Sequence, residues 1–301
     1  MTLDRTTLDR ITLDRRLNAY RADLADARLR GIVAASRYIE GRPARTIAGR
    51  AAVYREPAAG AALDTFYHYG EDLLVFDVGT QYAWCQSLFD GYVGYVEARH
   101  ITTDPAPAPT HFVTTPGSYC YEAADLRSRP IDFLPRHSAV AVTENGLDTR
   151  GTAYVRLATG SYLPAACLSP APPVSPDIAT AAALYLGCPY RWGGRSFLGL
   201  DCSGLVQNAF RDIGIAVRRD TDLQRDTIGT AVPIDNVADL RRGDLLYVPG
   251  HVLICEGGDT MIHADGASMT VRRDDLAEWL RARGLILANL VVRRHPAAAG
   301  S

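Results

Sequence analysis

A cysteine stands at the start of an apolar helical pattern in the C-terminal third of this chain. In LDCSGLVQNAFRDIG, Asp201 is a residue type that caps helix N-termini, which puts Cys202 at the first helical position. The positive end of a helix dipole and its unpaired N–H groups favour the thiolate form of such a cysteine. Cys202 is therefore a candidate nucleophile, with inert packing as the alternative for a residue type that is often buried.

Two later histidines supply a candidate base. The stretch HVLICEGGDTMIHA predicts a hairpin around Gly257-Gly258, and His251 and His263 are symmetric about residue 257. Cross-strand neighbours have Cβ atoms roughly 4.5–5.5 Å apart, so one imidazole can orient the other as in a catalytic triad. Zinc held by Cys202 and the two histidines is the main alternative, although the sequence has no C-x-x-C or H-E-x-x-H spacing and offers no clear fourth ligand.

The elements that must position these side chains begin with β-rich segments. Three TLDR repeats open the chain, and we interpret the first dozen residues as an arm followed by a helix over 13–30. Pro/Ala-rich stretches at 104–110 and 169–176 indicate linkers. Short β-rich runs with Asp-Gly and Asn145-Gly146 turns lie before and between these linkers, and they predict two small antiparallel barrels.

From residue 176 onward the sequence predicts helices as well as strands. Ser175 as N-cap and Pro176 at the first position predict a helix over 176–187, and a second helix is predicted over 201–214. Strands and one further helix should follow, which gives an α+β arrangement; the strands are predicted at 244–248, 251–257, 260–264 and 285–292, and the helix at 274–284. The predicted regions are therefore an arm and helix at 1–40, barrels at 41–103 and 110–168, and an α+β domain at 176–301.

The composition of the chain limits the classes of partner that we expect. The 301 residues include 47% hydrophobic side chains and carry a formal net charge of −2, so the basic excess of a nucleic-acid-binding surface is missing. We expect no membrane span and no export signal, because the sequence has no apolar run of about 20 residues and no apolar core near its N-terminus. A cytoplasmic protein with six free cysteines is the resulting expectation.

Four blocks resemble one family. PYRWGGRSFLGLDCSGLVQNAFRDIGI at 189–215, LRRGDLLYV at 240–248, GHVLI at 250–254 and MIHA at 261–264 are similar to the NlpC/P60 family of cell-wall cysteine peptidases. HYGE and DGYVGYV, at 68–71 and 90–96, resemble segments of the first of two bacterial SH3 domains that precede the catalytic domain in some members. The resemblance implies a multidomain fold, with two SH3-like barrels followed by an α+β papain-like domain.

The same resemblance implies residue roles. Cys202 would be the nucleophile, His251 the base and His263 the residue that orients it, with neither a metal nor another cofactor. Tyr190 would help the Cys202 N–H to stabilise the oxyanion, and Asp201 and Ser203 would contribute to substrate binding, alongside ordinary packing and capping roles.

The resemblance also implies a substrate. It suggests a γ-D-glutamyl-L-diamino acid endopeptidase that recycles murein peptides and requires a free N-terminal L-alanine, recognised by Glu71, Tyr92 and Asp220. Relatives usually show Pro-Arg-Asp-Ser around that aspartate, whereas this chain has Arg218-Arg219-Asp220-Thr221. A hydrolase of intact peptidoglycan (endopeptidase or N-acetylmuramoyl-L-alanine amidase) and a non-catalytic wall-peptide-binding protein are the alternatives. The sequence leaves the diamino acid, diaminopimelate or lysine, and the oligomeric state open.

Overall fold

The computed structural model describes residues 13–300, and the first two TLDR repeats lie outside them. The predicted helix over 13–30 is wrong, because this segment forms turns, the strand β1 (Leu24–Asp26) and a short 3-10 helix (Ala27–Leu29). β1 pairs in parallel with β2 (Arg37–Ile39). The apolar residues of the segment pack against the neighbouring barrel instead of lining a helix face: Leu24 and Ala19 are buried with Phe76, Trp84 and Val93.

The first barrel is a seven-stranded antiparallel sheet with the order β5-β4-β8-β7-β6-β3-β9. Alternating apolar residues of the strands form its core, including Val53, Leu73 and Val96. A turn at Asp90-Gly91 precedes β8, as the sequence predicts. The strands are β3 (Arg42–Thr46), β4 (Arg50–Tyr54), β5 (Leu63–His68), β6 (Asp72–Val78), β7 (Tyr82–Ser87), β8 (Val93–Glu97) and β9 (Ile101–Thr102).

A second β-unit follows the linker at 104–110. It has a three-stranded sheet, β13-β10-β17, and a five-stranded sheet, β12-β11-β16-β15-β14, around a small apolar core. Asn145-Gly146 is not its hairpin turn: the pair lies inside β14 beside a register shift, and the chain turns at Arg150-Gly151, where both residues have positive φ. The strands are β10 (His111–Val113), β11 (Gly117–Tyr121), β12 (Pro130–Pro135), β13 (Ala139–Val140), β14 (Val142–Thr149), β15 (Thr152–Leu157), β16 (Tyr162–Pro164) and β17 (Leu168–Ser169).

The C-terminal unit packs two helices on one antiparallel sheet with the order β20-β25-β21-β22-β23-β24. Its helices are α1 (Ile178–Ala183), α2 (Cys202–Arg211), α3 (Thr221–Thr227) and α4 (Leu276–Ala282). Its strands are β18 (Arg195–Ser196), β19 (Gly199–Leu200), β20 (Thr230–Val232), β21 (Leu245–Val248), β22 (His251–Gly257), β23 (Thr260–Asp265), β24 (Thr270–Asp275) and β25 (Val291–Arg294). Short 3-10 helices lie at Ala98–His100, Ala165–Cys167, Val237–Asp239 and Leu287–Asn289.

Two details of this unit differ from the prediction, namely the residue that caps α1 and the extent of the last strand. Asp177, not Ser175, caps α1, and its Oδ1 accepts from the Thr180 N–H at 2.8 Å. Ser175 donates its hydroxyl to Asp212 instead, so it is used to join the linker to α2. The run predicted as one strand over 285–292 divides into a 3-10 turn and β25. None of the helices in the described part of the chain is both long and apolar enough to cross a membrane.

Buried polar contacts join the first barrel to the C-terminal unit. The Arg219 guanidinium donates to Thr65 Oγ1 at 2.7 Å, and the amide of Gln207 donates to Asp90 Oδ2 at 2.9 Å. Glu71 forms ion pairs with Arg195 and Arg211, both at 3.0 Å. Because unpaired charges are costly to bury, these pairs hold the barrel in one orientation against α2.

Candidate active site

Asp201 fixes the start of α2. Its Oδ1 accepts from the Gly204 N–H at 2.7 Å, the N-cap bond that the sequence predicts, and Cys202 is the first helical residue. Its Oδ2 accepts from Gly193 N at 2.8 Å and from Arg219 Nη2 at 2.6 Å. A Cβ at position 204 would lie 2.1 Å from the Gly194 carbonyl oxygen, so only glycine allows the loop before the helix to approach this closely.

The Cys202 thiol is enclosed rather than exposed at the helix end. The residue is 6% exposed, and its Sγ lies 3.9 Å from the carbonyl oxygen of Gly250. Burial, and then the negative charge of Asp201, raise the pKa of the thiol to about 12. Desolvation therefore opposes the helix dipole and disfavours the thiolate form that the sequence predicts. A reaction at Cys202 needs a base that takes the proton as the sulfur attacks.

The two histidines meet, although not by the predicted symmetry. Ile254 lies opposite Ile262, and a bulge follows at Cys255–Gly257, so His251 and His263 are not directly opposite across the strands. Their rings nevertheless share one face of the sheet, and His251 Nε2 lies 2.8 Å from His263 Nδ1. His263 Nε2 continues the chain to Asp274 Oδ2, 2.9 Å away on β24.

This chain of contacts sets the tautomers. A carboxylate only accepts, so His263 Nε2 carries the hydrogen that Asp274 accepts. In a neutral His263 the Nδ1 atom is then an acceptor, and the hydrogen between the rings belongs to His251 Nε2. The remaining nitrogen of His251, Nδ1, has a free lone pair and can accept a proton from a nucleophile.

Trp279 shields one face of the His251 imidazole from water. The indole stacks on the His251 ring with centroids 5.7 Å apart and an angle of 19° between the planes, and it also contacts His263 edge-on. Burial, followed by the neighbouring His263, lowers the pKa of His251 to about 3. His251 is therefore neutral at neutral pH and matches the neutral thiol. Sequence reasoning missed Trp279 and Asp274, whose roles depend on strand register and on α4.

A pocket of about 240 Å³ opens beside the thiol; we call it the Cys202 pocket. Tyr190 and Ser203, predicted from the sequence, lie in its wall with Cys202 and Asp201. Ser203 is held in place by Arg219, whose Nη1 donates to its hydroxyl at 2.7 Å. The full lining is Arg16, Arg55, Asp64, Tyr92, Tyr190, Trp192, Asp201, Cys202, Ser203, Asp220, Thr221, Asp222 and Gly250.

Asp220 and Tyr92 meet in this pocket across the domain boundary. The Tyr92 hydroxyl donates to Asp220 Oδ2 at 3.2 Å, and Arg16 from the N-terminal segment donates to the same oxygen at 2.7 Å. Asp220 Oδ1 has no hydrogen-bond partner among residues 13–300, so it stays available to a ligand. Burial raises the pKa of this carboxyl, while Arg219 and Arg16 oppose the rise.

Glu71 is not part of the pocket, which corrects its assignment to the ammonium site. Its carboxylate is buried and carries the two ion pairs to Arg195 and Arg211 described above. Asp64, the second residue of β5, supplies the carboxylate that the first barrel contributes to the pocket. Its Oδ1 accepts from Arg55 at 2.8 Å, and its Oδ2 has no partner within the described residues.

A second pocket, of about 380 Å³, lies on the other side of His251; we call it the Trp279 pocket. Gly250 lines the Cys202 pocket and the next residue, His251, lines the Trp279 pocket, so the two meet at this peptide. The lining residues are Val248, Pro249, His251, Asp265, Ala267, Trp279, Arg283 and Leu285.

The site is organised for nucleophilic catalysis. All six cysteines lie in the described residues and carry free thiols. Within residues 13–300, no group of three or more His, Cys, Asp or Glu side chains has the arrangement to hold a metal ion. The two imidazoles are instead hydrogen-bonded to each other and to Asp274. A buried thiol, a neutral imidazole and an orienting carboxylate can transfer an acyl group through a thioester.

Comparison with known proteins agrees with this chemistry. Residues 187–285 match the NlpC/P60 family, and residues 53–101 match the bacterial dipeptidyl-peptidase SH3 domain. Dipeptidyl-peptidase 6 of Lysinibacillus sphaericus is 35% identical over 102 residues, which cover 34% of this chain and 36% of that protein. The γ-D-glutamyl-L-lysine dipeptidyl-peptidase of Bacillus subtilis (strain 168) is 28% identical over 211 residues, covering 65% and 67%.

Solved structures extend the similarity in fold. An NlpC/P60 family protein from Bacillus cereus ATCC 10987 superposes with a TM-score of 0.66 at 20% identity, covering 84% of this chain and 99% of that one. An NlpC/P60 endopeptidase from Photobacterium damselae subsp. piscicida gives a TM-score of 0.52 at 15% identity, covering 84% and 70%. The matches span from about a third to two thirds of the length of the two curated relatives. The second β-unit as another SH3 domain stays a prediction. The chain thus contains an NlpC/P60 domain, which carries Cys202 and both histidines, preceded by a bacterial dipeptidyl-peptidase SH3 domain.

Proposed function

We propose that this protein is a cysteine endopeptidase that hydrolyses the bond between γ-D-glutamate and a diamino acid in peptidoglycan stem peptides with a free N-terminal L-alanine. The observation that carries the proposal is the composition of the Cys202 pocket. The nucleophile shares one small cavity with two carboxylates, Asp220 and Asp64, each of which has an oxygen without a partner among the described residues. Relatives named as γ-D-glutamyl-L-lysine dipeptidyl-peptidases support the same substrate class.

The reaction starts from neutral partners. The Cys202 sulfur attacks the carbonyl carbon of the γ-glutamyl amide while its proton passes to His251 Nδ1, and the imidazolium that forms is stabilised through His263 by Asp274. The first N–H groups of α2 have no intrahelical acceptor, and with the Tyr190 hydroxyl they are the proposed donors to the oxyanion. His251 then protonates the leaving amine, and water hydrolyses the thioester with the imidazole again as base.

The pocket explains the proposed preference for a free N-terminus. An ammonium group would bind the open oxygens of Asp220 and Asp64, next to the Tyr92 hydroxyl. L-alanine in intact peptidoglycan is joined to the glycan through an amide and has no such charge. A protein with this pocket would therefore act on released peptides, which supports a role in murein peptide recycling. A cytoplasmic location remains a prediction of the same proposal.

The decisive test compares L-Ala-γ-D-Glu-meso-diaminopimelate with the same peptide N-acetylated. Products are detected by mass spectrometry with the wild type and with Cys202→Ala, whose folding is checked by circular dichroism. We expect cleavage of the free peptide alone and a loss of about a millionfold in the variant, as for other triad nucleophiles. Cleavage of both peptides would instead favour a wall hydrolase. Binding without any cleavage would favour the peptide-binding alternative.

A further inference from the structure

The Trp279 pocket lies where the leaving group of the proposed reaction must go. His251 protonates the departing amine, and its ring lines this pocket, whereas Cys202 and the carboxylates that suit an ammonium line the other. The two cavities meet at the Gly250–His251 peptide. A peptide bound with its acyl part in the Cys202 pocket therefore directs the residue after the scissile bond into the Trp279 pocket.

One positive and one negative group line that cavity. The Arg283 guanidinium lies 4.2 Å from the centroid of the Trp279 ring and donates to Asp265 Oδ1 at 2.9 Å. A guanidinium has five N–H donors, and within the described residues this is the single hydrogen bond that the Arg283 side chain makes. The side chain is 32% exposed, so its remaining donors can reach a ligand in the cavity.

Asp265 is held in place more firmly than Arg283. Its side chain is nearly buried at the end of β23, and its Oδ2 accepts from the Ser268 N–H at 2.9 Å. Arg283 directly follows α4, on which Trp279 lies. Because the two charges are held by a strand and a helix, the cavity presents a positive and a negative group in fixed positions.

We propose that the Trp279 pocket binds the diamino acid residue that leaves, and that the pair Arg283–Asp265 binds the far end of its side chain, where a carboxylate and an ammonium share one carbon. This inference rests on the proposed function and names its substrate: a peptide with meso-diaminopimelate rather than lysine. The distal carboxylate of diaminopimelate accepts from the free N–H groups of Arg283, and the adjacent ammonium faces Asp265.

Position and charge favour the distal carboxylate. The α-carboxylate of the leaving residue lies beside the scissile nitrogen, next to His251, whereas Arg283 is one aromatic ring further away because Trp279 contacts both groups. Lysine ends in an ammonium alone. It would bring a positive charge next to Arg283 with no carboxylate beside it, so the remaining N–H groups of the guanidinium would have no anionic ligand.

The test measures kcat/KM for L-Ala-γ-D-Glu-meso-diaminopimelate and for L-Ala-γ-D-Glu-L-lysine with the same enzyme. We expect the wild type to favour the diaminopimelate peptide by about tenfold to a hundredfold, the range for a hydrogen bond between charged groups. Arg283→Gln should bring this ratio close to one, and Arg283→Lys should restore part of it. Arg281→Gln, an exposed arginine of α4, is the matched control and should keep the wild-type ratio.

The outcomes separate the two proposals. Equal wild-type rates on the two peptides, or a ratio that Arg283→Gln leaves unchanged, would overturn the role of Arg283 while the endopeptidase proposal stands. A wild type that cleaves neither peptide would overturn the proposed function and this inference with it. The ratio is measured within each variant, so a partial loss of folded enzyme does not alter it.

Discussion

The Cys202 pocket takes its lining from three parts of the chain, whereas the Trp279 pocket is lined entirely by residues 248–285. Arg16 reaches the first pocket from the N-terminal segment, and Tyr92 and Asp64 reach it from the first barrel. The second pocket needs only β21 to β23, α4 and the loops between them. Under the proposed function, selectivity for the acyl part of a substrate would therefore depend on how the domains assemble, while selectivity for the leaving group would depend on one domain.

The sharpest test of this contrast is Asp220→Asn. Removing the carboxylate charge should lower the preference for a free over an acetylated N-terminus by about tenfold to a hundredfold, because an ammonium loses its charged partner. The ratio between diaminopimelate and lysine peptides should not change, since Asp220 is outside the Trp279 pocket. Both ratios are measured as kcat/KM.

Asp226→Asn is the matched control for this variant. Asp226 lies on the same helix, α3, but is exposed and pairs with Arg225. A change in both ratios after Asp220→Asn would mean that the two pockets are not independent.

A smaller effect on activity is expected from a change at Asp274, which lies behind the two histidines. Asp274→Asn should lower kcat on every peptide by about tenfold, because Asp274 orients the imidazoles without touching substrate. Both selectivity ratios should stay as in the wild type. Arg272→Gln removes the other partner of Asp274, whose Oδ1 it contacts at 2.6 Å, and should have a weaker effect.

The pH profile gives an independent measurement of the same imidazoles. Protonation of His251 abolishes its function as a base, so kcat/KM falls as pH drops through the pKa of the free enzyme. Because burial lowers that pKa to about 3 from the ordinary 6.5, the acid limb should lie well below pH 6.5. An acid limb near 6.5 would show that His251 is hydrated in solution.

The smallest effect on chemistry is expected from Glu71→Gln. It should lower the free energy of unfolding by about 3 kcal/mol, because Arg195 and Arg211 lose their buried partner. Activity should change mainly through a higher KM for the free peptide, because the barrel carries Tyr92 and Asp64, which bind the N-terminus of the substrate in the proposed function. Urea unfolding and kinetics on the free and the N-acetylated peptide check this, and a loss of kcat without a loss of stability would contradict it.

Local patterns predicted the geometry at the start of α2, where Asp201 caps the helix and Cys202 is its first residue. Asp201 capping and the position of Cys202 depend on a few neighbouring residues, so the sequence is enough to find them. Asp274 and Arg283 were missed because Asp274 is placed by the pairing of β24 with β23, where it lies opposite Met261, and Arg283 by the packing of α4. Local sequence does not encode such placements.

The errors elsewhere have the same origin. The HYGE motif indicates a loop of the first barrel but not the direction of the Glu71 carboxylate, which is set by two arginines more than a hundred residues later in the chain. The helix predicted over 13–30 fails because Val93 N donates to the Arg16 carbonyl and Asp220 binds its guanidinium. Distant partners outweigh helix propensity in this segment.

The chain order of the Cys202 pocket has a consequence for synthesis on the ribosome. Domains fold as units from the N-terminus, so Arg16, Asp64 and Tyr92 are made before the thiol that they surround. His263 and Asp274 are made last. A nascent chain that ends before residue 251 would have the nucleophile but no base, and it would lack β22 to β25, whose residues Val252, Ile254 and Ile262 pack in one core with α2. The selective wall of the pocket is therefore synthesised first, but the pocket is complete only when the last strands of the C-terminal unit have joined the sheet.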